Sequence, residues 1–153
     1  MKQLALIFII LSAFSVSLVK AQKDSIRDEF LDAEFFLVDE DYKEALQSYM
    51  KVFDAGNQEN ANINYRIGIC YINMPGEKEK AIPHLEKAIK NVSASYREGV
   101  YKGVHAPIDA WLFLGNAYRI NYQLDEAINA YQKYLELNKK GNPYDNLFAQ
   151  QQI

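Results

Sequence analysis

The sequence predicts an all-α solenoid: three helix–turn–helix pairs stacked in a row, followed by the start of a further helix. Three observations lead there. A small residue followed three positions later by an aromatic recurs as Ala33/Phe36, Gly68/Tyr71 and Gly115/Tyr118. An alanine then follows each small residue after 12 or 13 positions, as Ala45, Ala81 and Ala127. Glycine and proline are scarce, 7 and 4 of 153 residues, and 49% of the chain is hydrophobic, which excludes a disordered, collagen-like or low-complexity chain.

The residue types have a physical reason. A small side chain lets the paired helix approach closely, and an aromatic three positions on lies on the same helix face and fills the adjoining space. Ala33 to Gly68 is 35 residues and Gly68 to Gly115 is 47, so about a dozen residues are inserted between the second and third units. No helix pair of this kind buries its apolar face alone, and about three stacked units are the minimum for a core.

In chain order, residues 1–21 are an export signal. Lys2 precedes an apolar run from Leu4 to Val19, broken only by Ser12, Ser15 and Ser17, which closes on Val19-Lys20-Ala21-Gln22. Cleavage is expected after Ala21. The run of 16 residues is short of the roughly 20 that span a bilayer, although an uncleaved signal anchor remains the alternative. No cysteine lies near the cut, which excludes a lipid-modified N-terminus. The processed chain, residues 22–153, keeps 15 basic against 20 acidic residues and has no later stretch of membrane-spanning length. It is expected to be exported, with no membrane span after cleavage.

Helices are expected over 24–38, 41–55, 59–74, 78–92, 107–121 and 125–139, with a seventh opening near 143. Asp41 and Asp125 are expected N-caps, Gly56 and Gly141 stops, and Pro107 and Pro143 first-turn prolines. Pro83 is tolerated if its helix begins near 79, because first-turn N–H groups have no intrahelical partner. The domain 22–153 thus divides into repeats at about 26–58, 59–92 and 107–141, an insertion at 93–106, and a further helix from 143 to 153. The insertion, with Gly99 and Gly103 and no helical stripe, reads as an irregular loop with a short helical extension of the preceding helix.

The run Trp111-x-x-Leu114-Gly115-x-x-Tyr118, with Ala127 and Tyr131 following, is the opening of a tetratricopeptide repeat (TPR). The chain therefore resembles TPR proteins, with Ala33, Phe36, Ala45, Gly68, Tyr71, Ala81, Trp111, Leu114, Gly115, Tyr118, Ala127 and Tyr131 as repeat-packing residues. Residues 93–119, which include Ala106-Pro107-Ile108-Asp109-Ala110-Trp111, together with the signal peptide, are similar to a narrower group. These are Bacteroidota envelope proteins that join an N-terminal TPR module to a WD40-like propeller and sometimes to an OmpA-like domain, some of them associated with type IX secretion. The resemblance implies a periplasmic location, associated with the outer membrane. Neither the propeller nor the OmpA-like domain is present in this sequence, so nothing that depends on them carries over.

Candidate chemistry is sparse. Cys70 is the sole cysteine, so no intrachain disulfide forms, and beside Tyr71 it reads as a packed thiol. His84 and His105 stand apart, with no metal-ligand spacing. Gly99 and Gly103 lack the lysine and strand context of a phosphate loop. Asn91-Val92-Ser93 matches a glycosylation sequon, an accidental match in a bacterial envelope. Net charge is −3 before and about −5 after signal removal, which disfavours a nucleic-acid surface. No enzyme activity, cofactor, metal, nucleic acid or small-molecule substrate is expected.

The first helix of each pair lines the concave side of such a solenoid, the usual binding surface. There the expected protein-binding residues are Glu34, then Asn62, Tyr65 and Asn73, then Asp109, Asn116 and Arg119. Their amide and guanidinium groups suit a peptide backbone or carboxylate, but solvated polar residues are the plain alternative. A lysine-type carboxylate clamp is not expected, because Tyr65 and Leu112 stand where lysine would be. The sequence therefore points to an exported, non-catalytic interaction scaffold with protein partners in the cell envelope. The alternative is an accessory or regulatory TPR domain of a larger enzyme or transporter assembly. Phe148-Ala149 repeats the large–small step of Leu114-Gly115, and the chain stops at the apolar Ile153, so continuation into a longer protein is also expected.

Overall fold

A computed structural model describes residues 22–139 and 141–153, leaving the expected signal peptide outside the described residues. The fold is the all-α solenoid of helix pairs expected. Helix α1 covers 22–38 and pairs with α2 (Tyr42–Asp54). Helix α3 (Ala61–Asn73) pairs with α4 (Ala81–Ala88), and α5 (Ala110–Ile120) with α6 (Leu124–Leu137). Helix α7 (Pro143–Gln151) packs on α6.

The core is a chain of three apolar layers, each shared by neighbouring pairs. Phe30, Ala45, Tyr49 and Ile67 join α1, α2 and α3. Tyr65, Leu85, Ala110 and Leu114 join α3, α4 and α5. Ala127, Tyr131, Tyr134 and Ala149 join α6 to α7, with Leu112 from α5. Each layer depends on its neighbours, which is the energetic signature of a solenoid.

The small residues sit where the paired helices come closest. A Cβ placed on Gly68 would lie 2.6 Å from Leu85 Cγ, and one on Gly115 would lie 2.6 Å from Tyr131 Cε1. A second internal symmetry lies beside these positions. The Tyr49 hydroxyl of α2 donates to Glu34 of α1, and the Tyr131 hydroxyl of α6 donates to Asn116 Oδ1 of α5 at 2.8 Å. The middle repeat has Leu85 and Ile69 at those two positions, replacing the polar pair by an apolar one.

Several helix ends differ from the expected ones. Helix α5 starts at Ala110 instead of 107, because Ala106 is held in a parallel bridge with Val92. Pro107 then begins a turn in which Ala110 N–H donates to its carbonyl at 3.1 Å. The single helix expected over 78–92 is three pieces: a 3₁₀ turn Lys78–Lys80, α4 itself, and a 3₁₀ turn Ile89–Asn91. Pro83 is the third residue of α4 and offers no N–H to Glu79, so the preceding turn tightens to i→i+3 bonds.

Asp125 is not an N-cap; Gln123 holds that place. The reason is the turn before it. Glu40 and Tyr122 have φ of 59° and 60°, and Asp41 and Gln123 N–H groups reach back to Phe36 and Tyr118 carbonyls at 2.9 Å each. Both are Schellman-type endings, each seven residues past the small position, and both fix the next residue as N-cap. Asp41 uses its carboxylate on Glu44 N–H at 3.3 Å, whereas Gln123 makes no side-chain cap. In the middle repeat the extra residue supplies Gly76 at φ 79°. Gly56 ends α2 at φ 104° as expected, but Gly141 does not end α6, whose C-cap is Asn138.

Candidate protein-binding face

Helices α1, α3 and α5 present one common side, and α3 supplies its centre. Asn60 caps α3, accepting from the Asn62 and Ile63 N–H groups at 2.9 and 3.3 Å. Asn62 follows on that side, with Tyr65 and Arg66 together one turn later. Arg66 is the one arginine of the helix and is 1% exposed. Its Nε and Nη2 form a bidentate pair with the Glu34 carboxylate, the latter at 2.6 Å. Its Nη1 donates to the Tyr96 hydroxyl, and the guanidinium lies 5.7 Å from the Phe30 ring centre.

A buried arginine is tolerated only when its donors are engaged, and here they are. Burial, the largest single effect, pulls the Arg66 pKa down, but the hydrogen bonds to Glu34 together with the electrostatic interactions of Tyr49, Glu34 and Tyr96 outweigh it and raise it. Burial raises the phenol pKa of Tyr49, Tyr65 and Tyr96, so all three stay neutral hydroxyls.

The face is not open at its centre. Asn62 is fully buried and Tyr65 is 8% exposed, because the 93–106 loop lies over them. The Gly103 carbonyl accepts from Asn60 Nδ2 at 3.3 Å and Asn62 Nδ2 at 3.4 Å. Tyr96 donates to Asn62 Oδ1 at 3.2 Å, and its ring stands edge-on to Tyr65 at 6.4 Å. Glu34, expected in the groove, turns to Arg66 and Tyr49.

The remaining expected residues lie apart from that centre. Asn73 is exposed and bonds its own helix at Ile69 O. Asn116 is half-buried and accepts from Tyr131, while Arg119 is exposed. Asp109 is half-buried, its pKa raised by burial and then by Asp145. It lines an open cleft of about 570 Å³ with Tyr96, Pro107, Asn138 and Lys139. The structure therefore brings Glu34, Asn62 and Tyr65 together, and leaves Asn73, Asp109, Asn116 and Arg119 as separate edges.

Sequence reasoning missed Arg66 and Tyr96. The available signal was a lone arginine in the otherwise apolar and amide run Ala61–Tyr71. The partner tyrosine, thirty residues away, carries no pattern. His84 is held in packing: its Nδ1 pairs with Asn64 Oδ1 at 2.9 Å and its ring stacks on Tyr71, while the exposed His105 pairs with Asn91 Oδ1 at 2.7 Å. Burial, with Lys87 adding to it, lowers the His84 pKa. Cys70 is buried and its thiol pKa is pushed up to about 12, which removes the thiolate that nucleophilic chemistry needs. Among the described residues no group of three His, Cys, Asp or Glu could hold a metal, and no helix is long and apolar enough to cross a membrane.

The tetratricopeptide repeat model matches residues 108–140. Among solved structures, the chain is similar to the first TPR domain of the human RPAP3 protein, at TM-score 0.60 and 19% identity over 83% of this chain and 86% of that one. It is also similar to the MamA protein, at TM-score 0.57 and 20% identity over 76% of this chain. This chain spans only 56% of the length of MamA. No curated protein matches significantly. At these identities the likeness fixes the fold, a TPR-type helical solenoid, and no more.

Proposed function

We propose that this chain is an exported, non-catalytic protein–protein interaction module of the bacterial cell envelope, at the outer membrane and within assemblies such as type IX secretion. The observation that carries the interaction reading is the engagement of Gly103. The amides of Asn60 and Asn62 grip one backbone carbonyl across the first-helix face, the chemistry by which a solenoid holds an extended polypeptide. TPR repeats are interaction modules, and Tyr49, Tyr65, Arg66 and Cys70 are locked in packing instead of poised for proton transfer. The envelope reading is supported by the Lys2-to-Ala21 signal pattern and by the resemblance of residues 93–119.

The purified chain tests this by cross-linking in envelope extract, followed by reconstitution with each purified protein recovered. Direct binding that weakens in Arg119→Ala, at unchanged stability, is the expected outcome. Turnover of an envelope substrate by the purified chain would overturn the non-catalytic reading. Export is checked by the N-terminal sequence of the protein in the envelope fraction, which is expected to begin at Gln22.

A further inference from the structure

The insertion between α4 and α5 is closed at its neck. Ser93 N–H donates to Ala106 O at 2.9 Å and Ala106 N–H to Asn91 O at 3.0 Å. A loop of this length with its ends held together is an Ω-loop, a class that often carries function. Its Arg97, Glu98, Lys102 and His105 face solvent, while Tyr96, Val100, Tyr101 and Gly103 are half-buried beneath. Tyr101 packs against Phe30 of α1 with ring centres 5.6 Å apart. Gly103 has a specific reason to be glycine: a Cβ there would lie 3.0 Å from Val100 O and 3.4 Å from Asn62 Nδ2.

We propose that this loop is an intramolecular occupant of the α1–α3 groove, and that the groove's external ligand is an extended segment of the same chemistry, which must displace it. The inference rests on the interaction reading above. The pocket defines that ligand as tyrosine-bearing. Arg66 commits two of its three nitrogens to Glu34 and offers Nη1 alone. The hydroxyl that meets it must accept from Arg66 and donate to Asn62 Oδ1, because the Asn62 amide nitrogen is taken by a backbone carbonyl of the same segment, as it is by Gly103 O in the docked loop.

A phenol does both, whereas a carboxylate only accepts. The Arg66–Glu34 pair is net neutral, so it offers no excess charge to draw an acid. The Tyr65 ring and the Arg66 guanidinium, 5.9 Å from the Tyr96 ring centre, supply the walls for the aromatic body. A tethered loop competes at an effective concentration in the millimolar range. Free segments therefore bind only weakly until the loop is loosened.

The test uses a labelled peptide of residues 93–106 with blocked ends, followed by fluorescence anisotropy. In one chain, residues 94–104 are replaced by a short Gly-Ser linker, which the adjacent neck residues Val92 and Ala106 allow. That chain is expected to bind the peptide at least about tenfold more tightly than the unaltered chain. A peptide with Tyr96→Phe is expected to bind about fivefold more weakly.

Equal binding by both chains, or no binding by a shortened chain that melts cooperatively, overturns the proposal. If the shortened chain does not fold, the full chain carrying Tyr96→Phe and Gly103→Ala loosens the loop instead. It is expected to take up the wild-type peptide more tightly than the unaltered chain, and unchanged uptake overturns the proposal. A concentration-dependent dimer of the full chain that disappears on shortening would show the loop exchanged between copies, and would overturn intramolecular occupancy. Failure of peptide binding with Arg119-dependent partner capture intact removes only the loop proposal. The reverse result removes only the interaction reading.

Discussion

Replacing Gly115 by valine places a branched side chain at the closest approach of α5 and α6. The first added carbon would sit 2.6, 2.7 and 3.0 Å from Cε1, Cδ1 and Cζ of Tyr131. Tyr131 is fully buried and tethered through its hydroxyl to Asn116, so the ring cannot move aside without losing that bond. Overpacking of a filled core costs roughly 1–3 kcal/mol, and loss of the hydrogen bond adds about 1 kcal/mol. Valine regains only a few tenths of a kcal/mol in helix propensity over glycine. The net expectation is a loss of about 2–4 kcal/mol. Urea unfolding followed by circular dichroism reads it as a lower midpoint. In a double-mutant cycle, Tyr131→Ala should absorb much of the clash, leaving a coupling of about 1 kcal/mol or more. An unchanged midpoint for Gly115→Val, or strict additivity with Tyr131→Ala, would refute the assigned register of α5 on α6.

Three further outcomes are expected. Arg66→Met strands the Glu34 carboxylate, whose side chain is 16% exposed, and should cost about 3 kcal/mol in urea unfolding, with much of it recovered in the Arg66→Met, Glu34→Leu double variant. Tyr122 is 90% exposed at φ 60°, so Tyr122→Gly should raise stability by about 1 kcal/mol in the same assay. The folded pKa of His84 lies below its unfolded value of 6.5, so its contribution is present above that pH and is lost as pH falls through the folded value. Thermal midpoints measured from about pH 7 down to about pH 5 should therefore fall less steeply in His84→Gln than in the wild type.

The helix pairs were legible because their signal is periodic. A small residue, an aromatic and a second small residue return at nearly fixed spacing, and close helix packing demands those types. The end of α5 was legible in principle as well. Glu40 and Tyr122 are equivalent positions, and that equivalence points to Gln123 as the N-cap, whereas the stronger intrinsic capping preference of aspartate points to Asp125. The closure of the groove was not legible. Tyr96 and Gly103 meet Arg66, Asn60 and Asn62 across roughly thirty to forty intervening residues, through a loop with no period of its own. Exposed polar residues and residues clasped by a loop read alike in one dimension. The same holds for Glu34, which as a helix-surface carboxylate looks solvated until its arginine is located.

The docking of the 93–106 loop against α1 and α3 is what sets this groove apart from an open one, and proton NMR in solution tests it most directly. Nuclear Overhauser contacts are expected between the Tyr96 ring and the side chains of Tyr65 and Arg66, and between the Tyr101 and Phe30 rings, with both tyrosines shifted away from random-coil values. Random-coil shifts for Tyr96 and Tyr101, with no contact to α1 or α3, would contradict the closed groove.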